Sequence, residues 1–93
     1  MDSSFSFGDL VLSIAGRDKG KIYLIVDVDE SYCYLVDGKS RKINKPKKKK
    51  AKHLRKVSTA SLFEFAEKIR KGECVGNERL HKAIKAQTKK QED

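Results

Sequence analysis

Hydrophobic and polar positions alternate through the first half of the chain. Ile22, Leu24, Val26 and Val28 take every second place, with Tyr23, Ile25 and Asp27 between them. That period, rich in β-branched residues, predicts a half-buried strand over Ile22–Val28. Two shorter apolar runs flank it: Leu10–Ile14, which follows Gly8-Asp9 and closes at Ala15-Gly16, and Tyr32–Val36, which follows the polar turn Asp29-Glu30-Ser31. Between the first two runs lies Arg17-Asp18-Lys19-Gly20-Lys21, a turn whose Gly20 reaches positive φ without steric cost. Asp37-Gly38 is a favoured hairpin dipeptide and predicts a turn into a short strand over Ser40–Ile43. The next stretch breaks the pattern. Like charges repel and Pro46 lacks an amide donor, so an extended basic loop is expected over 45–52. His53–Val57 then reads as a closing strand. Closely spaced strands with tight turns predict a small antiparallel barrel over 5–57, a closure that removes exposed sheet edges.

Beyond residue 57 the period lengthens. Leu62, Phe65, Ala66 and Ile69 form one helical stripe, Ser61 and Glu64 have capping-box spacing, and Gly72 is a C-terminal stop, which predicts a helix over 61–71. Asn77 is placed to cap a second helix over 78–90, on which Leu80, Ala83 and Ile84 share a face. The expected fold is mainly β with C-terminal helices. It forms one domain over 1–93, a barrel followed by a helical extension at 58–93, with the first stripe packed against the barrel.

With 93 residues and 38% hydrophobic composition, such a domain has little core to spare. Charge changes the picture more. Residues 1–38 hold three basic and seven acidic residues, 39–56 hold eleven Lys and Arg with no acid, and 57–93 hold eight basic and six acidic. The net +9 is therefore one concentrated patch, a local field suited to a polyanion. Only two cysteines occur, fewer than a secreted chain this short would carry as a disulfide framework. Met1–Phe5 lacks the charged and apolar regions of a signal peptide, and the longest apolar run is far below a membrane span. A reducing, cytoplasmic setting without membrane contact is expected.

The string Phe7–Val28, FGDLVLSIAGRDKGKIYLIVDV, resembles the KOW motif: Gly-Asp before a first strand, a basic glycine-bearing turn, then an alternating strand. Gly8, Asp9, Val11, Gly16, Lys19, Gly20, Lys21 and Val26 carry the likeness. The continuation Leu35-Val36-Asp37-Gly38 with Arg41-Lys42 is similar to the fourteen-e family of large-subunit ribosomal proteins. The resemblance implies an SH3-like barrel followed by helices, and RNA, above all ribosomal RNA, as partner. Ribosomal proteins are possible neighbours, and the free chain is expected to be a monomer.

The candidate RNA contacts are Arg17, Lys19, Gly20 and Lys21 in the first turn, then Lys39, Arg41, Lys42, Lys45, Lys47, Lys48, Lys49, Lys50, Lys52, Arg55 and Lys56. Such contacts are electrostatic and fix position more than sequence. The lysine tract has two lesser readings, a solvated charge run or, in a eukaryote, a nuclear address, and Gly20 also reads as nothing more than a turn residue. Tyr32 and Tyr34 share a face and are candidates for stacking on unpaired bases, or for covering the core rim. Cys33, Cys74, His53 and His81 lack paired metal-ligand spacing, so neither a metal nor another cofactor is expected. Nor is there a nucleophile–base order, a phosphate-binding glycine loop or a carboxylate pair. Within so small a barrel no substrate pocket is expected, and the chain reads as a binding protein, not an enzyme. Two other readings stay open: a protein-interaction module docking on transcription or translation machinery, and a non-specific DNA binder.

Overall fold

The computed structural model describes residues 5–91, apart from the side chains of 58–61 and 89–91. Five strands, β1 (Asp9–Ser13), β2 (Ile22–Asp29), β3 (Tyr32–Val36), β4 (Lys47–Lys50) and β5 (Leu54–Ser61), form one antiparallel sheet. Its order is β4-β3-β2-β1-β5, a meander whose last strand returns beside the first. The sheet curls into a half-barrel, followed by α1 (Phe63–Arg70) and α2 (Asn77–Gln91). The architecture is thus mainly β with C-terminal helices.

The alternation along β1 and β2 sorts side chains between two cores. Leu10, Leu24, Val26 and Val36 face the helices and pack with Ala66, Leu80 and Ile84. Val11, Tyr23, Ile25, Cys33, Leu35 and Leu54 pack on the concave side. Tyr23 through Val26 are all buried, so the first half of β2 is covered on both faces rather than half-buried as its period predicts, whereas Asp27 to Asp29 are exposed. The cause is the helical extension, which roofs the convex face. Shifts of register between Ile25 and Asp27 and between Asp9 and Val11 mark the points where the sheet bends.

Two stretches differ from the sequence expectation. Ser40–Ile43 is not a strand, because the Asp37 carboxylate closes a compact loop there. It accepts the amides of Lys39 at 2.9 Å and Arg41 at 2.7 Å, the donors that a ladder would have used. The backbone of Asp37 and Gly38 completes the loop by donating to the Arg41 carbonyl. Conversely, the basic loop expected over 45–52 contains β4, which pairs with β3 through Tyr32↔Lys50, Cys33↔Lys49, Tyr34↔Lys48 and Leu35↔Lys47. Chain pairing outweighs like-charge repulsion because alternate lysines leave for opposite faces.

The helices begin and end close to expectation. Leu62 occupies the cap of α1 without a side-chain cap bond, while Ser61 belongs to β5, its side chain lying outside the described residues. The end of α1 is a Schellman turn: Gly72 donates to Ile69 O at 3.0 Å and Glu73 to Lys68 O at 2.9 Å. Asn77 lies within α2 rather than capping it, and its Oδ1 accepts the Ile43 amide at 2.8 Å. That bond, with Leu80 and Ile84 in the core, fastens α2 to the loop after β3.

Candidate functional site

Lysines in register on a strand must split between its two faces, and on β4 they split 47/49 against 48/50. Lys47 and Lys49 share the concave side with Cys33 and Leu35, where an apolar core would reject a bare ammonium. Asp18 resolves the conflict. Its Oδ2 accepts Lys47 Nζ at 2.9 Å and Tyr23 OH at 3.1 Å, and its Oδ1 accepts Lys49 Nζ and Ser13 Oγ, both at 2.8 Å. Lys49 also donates to the Ala15 carbonyl at 2.9 Å. Burial pushes the Asp18 carboxyl up, but the two ammonium groups and two hydroxyls outweigh it and hold it well below the usual carboxylate range. The same burial, with the bond to Asp18, pushes the Tyr23 phenol up to about 12.

The outward face of the pair β3–β4 carries Tyr32, Tyr34, Lys48 and Lys50. Lys48 Nζ lies over the Tyr32 ring at 4.5 Å from its centroid, a cation–π contact on a partly exposed surface. Tyr34 packs against the helix-side core, so it serves the rim, whereas Tyr32 does not join either core cluster. Tyr23 is fully core.

The remaining candidates fall into three groups. Arg17, Lys19, Gly20 and Lys21 are exposed on the turn after β1, which the Asp18 bonds hold against β4. Lys39, Arg41 and Lys42 are exposed on the loop that the Asp37 carboxylate organises, and Lys45 follows them, exposed too. Burial pushes Asp37 up, yet the Arg41 and Lys39 amides and the Ser40 hydroxyl outweigh it and keep the carboxyl below its ordinary range. Lys52, Arg55 and Lys56 are exposed around the start of β5, with Lys56 Nζ 3.6 Å from Asp9 Oδ2. Lys47 and Lys49 are thereby separated from the other thirteen: they are structural ties, committed to Asp18.

Sequence reasoning missed Asp18, Tyr23 and Asp37 as the residues that arrange this surface. A signal was present: Asp18 is the only acid in a basic turn, and Asp37 precedes a run of eleven basic residues that has none. Of the soft ligands, Cys33 is buried, its thiol pushed up to about 11 by burial and by Asp9, and Cys74 is exposed. Among the described residues no three of His, Cys, Asp and Glu gather as metal ligands, and no helix is long and apolar enough to cross a membrane. Compared with known proteins, the chain matches no protein-family model and no curated sequence.

Proposed function

We propose that the protein binds structured RNA through a basic surface built from β4 and the turn after β1. The observation that carries this is the division of the lysine tract. Two lysines are drawn inward to Asp18, which leaves Lys48 and Lys50 on the opposite face of the strand with Tyr32, while Arg17 and Lys19 are exposed on the turn that carries Asp18. Charges pinned to a sheet meet phosphates without the ordering cost of a mobile tail, and they impose a spacing that a shaped polyanion must match. Ribosomal RNA is the partner to which the KOW resemblance at Phe7–Val28 points. Shape and phosphate contacts then dominate, with Tyr32 available to an unpaired base.

The test is competition at one fixed salt concentration between a labelled RNA stem–loop and unlabelled RNA or duplex DNA of equal length. RNA should displace the probe at least tenfold more effectively. Equal displacement by DNA would turn the assignment to a non-specific nucleic-acid binder.

A further inference from the structure

Away from the Asp18 cluster, a concavity of about 350 Å³ lies between the start of β2, the loop after β3 and α2. Sites of roughly this size hold small organic ligands. Its apolar lining comes from Ile22 and Ile84, and Lys21, Lys39, His81 and Lys85 contribute the basic groups. On α2 the lining positions 81, 84, 85 and 88 follow helical spacing, so one stripe of the helix forms a wall. The groove has one acid, Asp37, and its oxygens are already engaged: Oδ1 by the amides of Lys39 and Arg41, Oδ2 by Ser40 Oγ. Those bonds hold the carboxylate ionised, so the groove sets Lys21, Lys39 and Lys85 against one negative charge and stays net positive.

We propose that this groove holds one nucleotide of a single-stranded RNA segment, its phosphate among Lys21, Lys39 and Lys85 and its base against Ile22 and Ile84. Charge complementarity and an apolar floor within one concavity select a ligand with an anionic and a planar apolar part. Continuity with the basic sheet selects an RNA strand as the source. Lys21 N donates to the Asp18 carbonyl at 3.0 Å, so the turn that borders β4 at Asp18 enters the groove at Gly20 and Lys21. The same turn carries the exposed Arg17 and Lys19, so a strand leaving the groove along it continues over basic residues. The inference rests on the RNA-binding reading and extends it to α2, to which the sequence assigned no nucleic-acid contact.

The experiment is a titration of the full chain with a short oligouridylate, following the Ile22 and Ile84 methyl groups, the His81 ring and Tyr32 by NMR. A second titration uses uridine monophosphate. The expected result is that the oligonucleotide shifts the groove signals and Tyr32 together, and that Lys85→Glu weakens its affinity about tenfold. Lys85 is exposed, so that variant keeps the fold. If Tyr32 shifts at saturation while the groove signals stay, the groove inference is overturned and the β4 reading stands. If only the mononucleotide reaches the groove, an RNA strand is not its occupant. If the groove signals shift at saturation while Tyr32 stays, the groove stands and the β4 surface does not.

Discussion

Lys49 Nζ sits 2.8 Å from Asp18 Oδ1, with the lysine side chain 10% exposed and the aspartate side chain 6% exposed. An ion pair so far removed from water is costly to break, because the partner left behind is a charge without compensation. Asp18→Asn should therefore destabilise the protein by about 3 kcal/mol or more, leaving two ammonium groups against a neutral amide. Lys48→Gln, one residue away on the outer face, should change stability by less than about 0.5 kcal/mol. Urea unfolding of the two variants, with unchanged slope, checks the contrast.

Acid and alkali should both unfold the protein, for opposite reasons. Asp18 and Asp37 titrate below their ordinary range in the fold, so the unfolded chain binds protons first. Their stabilisation is present above about pH 4, the unfolded carboxylate value, and is lost as pH falls below it. Tyr23 at about 12 and Cys33 at about 11 are raised, so their neutral forms are kept longest in the fold. Stability should hold up to about pH 8.5 and fall as pH rises toward these folded values. Thermal midpoints measured from pH 2 to 12 check both limbs. In Asp18→Asn the acid limb should flatten.

Helix α2 is tied to the sheet by a backbone approach that allows no side chain. Gly38 has φ +80°, and a Cβ there would collide with the Asn77 carbonyl at the start of α2. Gly72 has the same φ but open space around it. Gly72→Ala should cost about 1–2 kcal/mol, the penalty of a left-handed residue alone. Gly38→Ala should cost at least twice that, because α2 must also move and Leu80, fully buried, moves with it. Equilibrium unfolding of the pair separates strain from collision.

The legible parts of this structure are those whose signals are local. β1, β2 and β3 follow from apolar alternation broken by turn residues, and α1 and α2 from stripes such as Leu80 and Ile84. β4 carries no such signal, since four identical lysines have no polarity period. It becomes a strand through β3 and through Asp18, which lies 29 positions from Lys47 and 31 from Lys49. The absence of a strand at Ser40–Ile43 was equally hidden, because an aspartate beside glycine signals a turn without saying that its carboxylate will claim the next amides. Composition located the basic patch correctly in sequence but treated its lysines as equivalent. Only pleating distinguishes Lys48 and Lys50 from Lys47 and Lys49.

The central claim is that the outward half of the lysine strand contacts phosphates, and the salt dependence of RNA affinity measures it directly. Log affinity falls with log salt in proportion to the phosphates neutralised, by about 0.7 to 0.9 per contact. The protein carrying Lys48→Gln and Lys50→Gln should keep its thermal stability, lose at least tenfold in RNA affinity at moderate salt, and show a slope shallower by about 1.5. An affinity and a slope equal to those of the unaltered protein would contradict the account.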